Sequence, residues 1–335
     1  MTAYENLQRK LGRTQKKWLV TGAAGFIGSH VVEKLLQLNQ KVVGLDNFAT
    51  GYQANLDDLQ QSLSSKEERN FRFIEGDITS KPDCVRACRG VDFVLHQAAL
   101  GSVPRSFTDP LSTHMANTTG FLQILLAAQK AKVKRIVYAS SSSVYGDEKT
   151  LPKKEGKTGA VLSPYAASKA VDELYAGVFE SGYNQEIVGL RYFNVFGPRQ
   201  DPNGPYAAVI PQWMIGLLKG KPTYIYGDGR TSRDFCYVEN VVQANLLAAT
   251  IKSASGNVYN VAVGARTTLN SLHKALRVLT SNDHLPEYRP LREGDVRHSL
   301  ADISAAKCDM GFEPTHTLKE GLELTADWYK RRKKR

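Results

Sequence analysis

Thr21-Gly22-Ala23-Ala24-Gly25-Phe26-Ile27-Gly28 stands between a short apolar run, Trp18 to Thr21, and a helical pattern, His30 to Leu38. Strand, glycine-rich turn and helix in that order open a βαβ unit, and Lys41 to Leu45, apolar and β-rich, supplies its second strand. Gly22 permits a tight turn, Gly25 lets the backbone approach a pyrophosphate, and Gly28 lets helix and strand pack closely, with the helix N-terminus favouring the anion. A dinucleotide site is implied. Such sites place an acidic residue about twenty positions further on, where it accepts from the adenosine ribose hydroxyls. Asp46 occupies that place directly after the second strand, and its charge would repel the extra phosphate of NADP, so the expected cofactor is NAD.

The same alternation continues outward from this unit. Strand-like runs recur at Phe71 to Ile74, Val91 to Leu95, Arg135 to Ala139 and Ile187 to Leu190, separated by helix-like stretches at Cys84 to Cys88, Gly120 to Ala131 and Ala166 to Phe179. The pattern predicts an α/β fold with a Rossmann-type, doubly wound parallel sheet. After Asn194 the texture becomes punctuated by Pro and Gly, as in Gly197-Pro198 and Gly227-Asp228-Gly229, which reads as a smaller mixed α/β substrate lobe. The expected division is an extension at 1–17, an NAD-binding domain from 18–193 plus about 234–263, a substrate lobe from about 194–233 plus 264–329, and a basic tail at 330–335.

A chain of 335 residues with 42% hydrophobic and 23% charged residues has ordinary globular composition, which excludes disordered, collagenous and coiled-coil classes. No apolar run approaches the roughly 20 residues that cross a bilayer, and Met1 to Lys17 is polar with no signal-peptide core. These features lead us to expect a cytoplasmic protein with no membrane partner. Lys330, Arg331, Arg332, Lys333, Lys334 and Arg335 supply +6 of the net charge of +11, so the rest of the chain is only mildly basic and no nucleic-acid partner is expected. Cys84 and Cys88 are spaced C-x3-C, unlike a C-x2-C zinc site, and with Cys236 and Cys308 read as reduced thiols, with no metal.

Two more motifs bear chemistry. In Tyr165-Ala166-Ala167-Ser168-Lys169 the Tyr and Lys lie four apart and share one helix face. An ammonium beside a phenol favours its ionised form and makes it usable as a base. Ser140-Ser141-Ser142-Ser143, before Val144-Tyr145-Gly146, ends the strand that begins at Arg135.

With these pieces the chain resembles the extended short-chain dehydrogenase/reductases and, within them, the NAD-dependent nucleotide-sugar 4-epimerases. It is most similar to the bacterial UDP-N-acetylglucosamine 4-epimerases that serve surface-polysaccharide synthesis. The residues carrying the resemblance are Thr21 to Gly28, Asp46-Asn47, Gly76-Asp77-Ile78, His96-Gln97-Ala98-Ala99, Ser140 to Gly146, Tyr165 to Lys169, Leu190 to Asn194, Arg233-Asp234 and Arg292 to Asp302. It implies that Tyr165 is the catalytic base, that Lys169 holds the nicotinamide ribose and tunes Tyr165, and that Ser141 hydrogen-bonds the sugar 4-hydroxyl. Ser142 and Ser143 become substrate contacts. Around the cofactor it implies Gly22, Gly25, Phe26, Ile27, Gly28, Asp46 and Asn47, the adenine-contacting pair Asp77 and Ile78, Gln97, Ala98 and Asn117 along the cleft, and Tyr192 near the nicotinamide. His96 reads as a packed strand-end residue. Arg233 and Arg292 would neutralise the substrate diphosphate, Asp295 would accept from the uridine ribose, and Asn194, Val209 and Tyr224 would line the nucleotide and sugar pocket.

The implied reaction is transient oxidation at C4, rotation of a 4-keto sugar held by its UDP anchor, and reduction from the other face. Members restricted to non-acetylated hexoses carry a bulky Tyr where this chain has Ser299, so the expected pair is UDP-GlcNAc and UDP-GalNAc, with UDP-Glc and UDP-Gal turned over less efficiently. The alternatives are a 4-epimerase for UDP-Glc or the uronate form, a 4,6-dehydratase, and a non-catalytic NAD sensor. A dehydratase needs an Asp-Glu pair where Ser142-Ser143 stand, and a sensor has no use for an intact Tyr, Lys and Ser set. Family members also pair two long helices with their symmetry mates, here Pro110 to Ala131 and Ser163 to Ser181. A homodimer built as a four-helix bundle is therefore expected, with Phe121, Leu125, Ala128, Val171, Leu174 and Val178 divided between core and interface.

Overall fold

The structure, a computed structural model, describes residues 1–203, 207–291 and 297–333, with Lys333 described by its backbone only. Seven strands form the main sheet: β1 (Lys17–Thr21), β2 (Lys41–Asp46), β3 (Phe71–Glu75), β4 (Phe93–His96), β5 (Arg135–Ser141), β6 (Glu186–Tyr192) and β7 (Val258–Val261). Their spatial order is β3-β2-β1-β4-β5-β6-β7 and every neighbouring pair is parallel. Parallel sheets are covered on both faces, and the strands show it. Within β1, Trp18 and Val20 enter one core while Leu19 enters the other. β2 divides in the same way, Val42 to one side and Val43 and Leu45 to the other.

The first face is covered by helices Phe26–Gln37 and Val238–Thr250, the second by Lys81–Cys88, Gly120–Lys130 and Pro164–Tyr183. Strand order reverses at β1, with β2 on one side and β4 on the other, so a crevice opens at the carboxyl ends of these strands. A third core, around Phe196, Trp213, Met214, Ile225, Leu272 and Leu322, is built by helices Val209–Leu218, Leu269–Thr280 and Leu318–Lys333.

Three local features differ from the sequence expectations. Residues Ala3–Arg13, to which no element was assigned, form a helix started by a Thr2–Glu5 capping box, and Tyr4, Leu7 and Leu11 bury against the first core. The buried Gln40 fastens this helix, donating to the Leu11 and Thr14 carbonyls and accepting from the Trp18 indole at 3.0 Å. The glycine-rich turn also gives way to helix earlier than periodicity suggested, at Phe26 rather than His30, because Gly25 is the N-cap. At the other end, the helix Leu318–Lys333 continues through Lys330, Arg331 and Arg332, so these basic residues are its last turn. No described helix is long and apolar enough to cross a membrane.

The long helix expected over Pro110 to Ala131 is helical from Pro110 to Lys130, but Met115–Thr119 widens into a π-type turn. Phe121, Leu125 and Ala128 all face the protein's own core. Leu174 and Val178, on the helix that follows β5, are 70% and 57% exposed, and Leu111, Met115 and Leu126 are exposed with them.

Candidate active site

Gly22 has φ +69°, a conformation that favours glycine, and a Cβ there would lie 2.8 Å from the Ala98 backbone nitrogen. A Cβ on Gly28 would meet the Gly22 carbonyl oxygen at 1.9 Å. Strand, turn and helix can approach this closely only with glycine at both places. Gly25 caps the helix without a side chain, which leaves the first amides of that helix directed at the crevice.

Asp46, at the end of β2, accepts from the Ala24 amide at 2.9 Å and the Phe48 amide at 2.8 Å. Burial pushes its carboxyl up and these amides pull it back, so the carboxylate is fixed to the turn it serves. Asn47 donates to Asp77 at 2.8 Å, linking the ends of β2 and β3. Burial opposes ionisation of Asp77, but bonds from the Thr79 amide and hydroxyl and from Asn47 outweigh it and hold that carboxyl below its ordinary value.

These residues line a cleft of about 890 Å³ whose walls include Gly22, Gly25, Phe26, Ile27, Gly28, Asp46, Asn47, Asp77, Ile78, Gln97 and Ala98. The glycine contacts, the uncapped helix N-terminus and the carboxylate twenty-one residues beyond Gly25 fit an extended dinucleotide. Asn117 departs from expectation. It is buried behind the cleft wall, where the π-type turn aims its amide at the Leu100 amide (2.7 Å) and the Ser168 hydroxyl (3.0 Å). It fastens the loop after β4 to the Tyr165 helix.

A second cavity of about 270 Å³ is lined by Asn194, Val209, Tyr224 and Arg233, four of the residues expected at the substrate. It shares Ala207 and Ala208 with the dinucleotide cleft, so the two spaces adjoin. Arg233 bonds the Ser232 and Arg297 carbonyls, and the Arg289 guanidinium stacks 3.4 Å from the Tyr224 ring centroid. Ser299 is half-buried, and its amide donates to the Ser232 carbonyl at 3.0 Å, next to Arg233. Arg292 and Asp295 lie outside the described residues. A groove of about 750 Å³ on the outer side of helix Phe26–Gln37 is lined by charges of both signs and lies away from all of these residues.

The serine run resolves by strand alternation. Ser140 is buried and donates to Glu173 at 2.6 Å, and Glu173 is gripped in turn by Arg191. Ser141 takes the opposite face and accepts from the Ser143 amide and hydroxyl at 3.1 and 2.9 Å. Ser142 and Ser143 open a single helical turn that ends at Tyr145. Ser141 pairs in register with Tyr192. The Tyr192 hydroxyl donates to Gln97 at 2.9 Å and accepts from Asn245 at 2.8 Å, while Gln97 also donates to Asn245 at 2.9 Å. This half-buried triangle ties the Ser141 strand end to the cleft wall, and it leaves the Tyr192 hydroxyl spent on protein partners.

Tyr165 sits in the first turn of helix Pro164–Tyr183, which Ser163 caps by accepting from the Ala166 amide. Lys169, one turn on, is buried and lies 3.1 Å from the equally buried Asp172. Burial pushes the Asp172 carboxyl up to about 6 even with that ammonium beside it. His96, at the end of β4, bonds the Thr21 hydroxyl at 2.8 Å, and burial lowers it to about 3, so it is a neutral packing residue.

Asn245, Asp172 and Glu173 were not singled out from sequence, and Arg191 was noted only as part of the Leu190 to Asn194 motif, with no role. The available signal for Asn245 was an amide inside Val241-Val242-Gln243-Ala244-Asn245-Leu246-Leu247, an apolar run that is wholly buried. A buried amide must find partners.

Compared with known proteins, the chain matches the NAD dependent epimerase/dehydratase family over residues 18–262. A UDP-glucose 4-epimerase from Mycolicibacterium smegmatis is 35% identical over 314 residues, covering 93% of this chain and 98% of that protein. The solved UDP-N-acetylglucosamine 4-epimerase from Methanobrevibacter ruminantium, in complex with UDP-N-acetylmuramic acid, is 39% identical with a TM-score of 0.89 and covers 95% of this chain and 99% of its own. The UDP-glucuronic acid 4-epimerase from Bacillus cereus, in complex with UDP-glucuronic acid and NAD, is 32% identical with a TM-score of 0.85 over 94% of this chain and 99% of that one.

Proposed function

The chain belongs to the NAD-dependent epimerase/dehydratase family, and from that premise we propose that it is a UDP-sugar 4-epimerase interconverting UDP-GlcNAc and UDP-GalNAc, and less efficiently UDP-Glc and UDP-Gal. The observation that carries this reading is the end of β5. There Ser141, Ser142 and Ser143 present hydroxyls and no carboxylate, across the sheet end from the helix that bears Tyr165 and Lys169. Such a site can take a proton from an alcohol and give it back. Hydroxyls stand at Ser142 and Ser143, where a dehydratase needs an acid–base pair for its C5 and C6 chemistry, and the carboxylate that does bond the run, Glu173, is engaged by Ser140 and Arg191.

In the proposed roles, Tyr165 takes the proton of the sugar 4-hydroxyl through or beside Ser141, and Lys169 favours the ionised phenol. Bound NAD supplies the acceptor and donor for the C4 hydrogen. Gly22 to Gly28, Asp46, Asn47, Asp77, Ile78, Gln97 and Ala98 hold it in the larger cleft. Arg233, with Arg292 and Asp295, anchors the UDP moiety, and Asn194, Val209 and Tyr224 line its pocket. Ser299 leaves room for a 2-acetamido group to sweep as the keto sugar rotates. Fixed nucleotide contacts with a tolerant sugar pocket are what such a rotation requires. The setting is supply of polysaccharide precursors in the cytoplasm. The test is kcat/KM on both sugar pairs, expected to favour the acetylated pair by roughly 10 to 200-fold, the discrimination that modest shape complementarity gives. A preference for UDP-Glc, or no turnover of either, contradicts the assignment.

The same reading includes a homodimer. Leu111, Met115, Leu126, Leu174 and Val178 are exposed on the two helices that family members pair, and burying them against a second copy would gain roughly 25 cal/mol for each Å² of apolar surface covered. Light scattering at micromolar concentration should give twice the 37.0 kDa chain mass, and the single-chain mass would refute the dimer.

A further inference from the structure

Tyr52 lies in the loop between β2 and helix Gln53–Ser62, and Asp201 in the segment that follows β6. Both stand in the wall of the dinucleotide cleft. The Tyr52 hydroxyl donates to Asp201 Oδ2 at 2.6 Å, a short, charge-assisted bond. Each end is anchored. The Tyr52 amide donates to the Ala24 carbonyl at 3.0 Å, and Asn55 donates to the same carbonyl at 2.9 Å, so Tyr52 is fastened to the glycine-rich turn itself. On the other side, Asp201 Oδ1 accepts from the Asn203 amide and side chain. The preceding residue is tied down by a bond from Gln200 to the Val195 carbonyl and by the Tyr329 hydroxyl donating to the Gln200 carbonyl.

We propose that the Tyr52–Asp201 bond is a latch across the mouth of the dinucleotide cleft that sets how slowly the cofactor leaves. The two residues come from segments about 150 positions apart in sequence, and their side-chain bond joins those two walls of the cleft directly. A dinucleotide lying along the glycine-rich turn must pass between the walls to escape. Opening the latch costs one charge-assisted hydrogen bond, and that cost is met whenever the cofactor passes between the walls, on entry and on exit alike. An enzyme that regenerates its cofactor in every turnover gains from such retention. The latch itself does not depend on which sugar is turned over.

The test uses the purified holoprotein and measures exchange of bound NAD for isotopically labelled NAD in the buffer, a readout that needs no sugar chemistry. Tyr52→Phe and Asp201→Ala are each expected to speed exchange about five- to tenfold, given an exposed hydrogen bond to a charged group, with NAD association quickened as well. The double variant should exchange no faster than the singles, because both remove the same bond. Exchange unchanged in either single variant, or a double variant whose acceleration is the product of the two, would overturn the latch.

Discussion

Tyr165→Phe is expected to lower kcat at least about 10²-fold while the protein keeps its NAD. General-base catalysis contributes at least that much, equivalent to roughly 3 kcal/mol of transition-state stabilisation. The substitution isolates the hydroxyl. It leaves the ring, so the half-buried first turn of helix Pro164–Tyr183 and its Ser163 cap keep their packing. It also leaves the dinucleotide cleft intact, because the glycine-rich turn, Asp46 and Asp77 form that wall independently of Tyr165. His96 cannot substitute as a base, being buried, neutral and bonded to Thr21. Turnover near the original rate with full NAD content would remove Tyr165 from the chemistry.

Ser299→Tyr is expected to suppress UDP-GlcNAc epimerisation by more than about tenfold while sparing UDP-Glc. The Ser299 backbone is fixed by its amide bond to the Ser232 carbonyl, beside Arg233 in the smaller cavity's wall. A side chain added there cannot move away with its backbone. On the proposed assignment, a phenol ring there would occupy the space needed by the two-carbon acetyl group and its amide, whereas a 2-hydroxyl would still fit. Overfilling a pocket is costly in just this asymmetric way, since the larger ligand must displace protein atoms and the smaller one need not. The two activities are measured on one preparation, so misfolding, which lowers both, is distinguished from a wall that excludes one sugar. Full UDP-GlcNAc turnover in the variant would place Ser299 away from the acetamido group.

The sheet and the dinucleotide cleft were legible because their signals are local. An apolar run, three glycines at fixed spacing and an acidic residue after the next strand lie within thirty residues, and Gly22 and Gly28 each meet a backbone contact that excludes a side chain. The helix that bears Tyr165 and Lys169 was legible for the same reason. What escaped is long-range. Gln97, Tyr192 and Asn245 come together from positions spread over about 150 residues, and Tyr52 meets Asp201 across a similar distance. Nothing in local periodicity reports such pairs. Asn117, which the resemblance put along the cleft, is carried by a π-type turn onto Leu100 and Ser168, a geometry that no local pattern reports. The four serines could not be separated by spacing either, yet strand alternation divides them, Ser140 toward Glu173 and Ser141 toward the open end of the sheet.

The central claim is that C4 of the sugar loses and regains its own hydrogen inside one bound complex. It is tested most directly with UDP-GlcNAc carrying deuterium at C4, incubated with the purified protein in ordinary water and followed to equilibrium. The account predicts UDP-GalNAc that retains the deuterium at C4, no net accumulation of reduced cofactor, and the same label pattern appearing at least about 10²-fold more slowly with Tyr165→Phe. Washout of the label into solvent, or a 4-keto-6-deoxy product formed by loss of water, would contradict it.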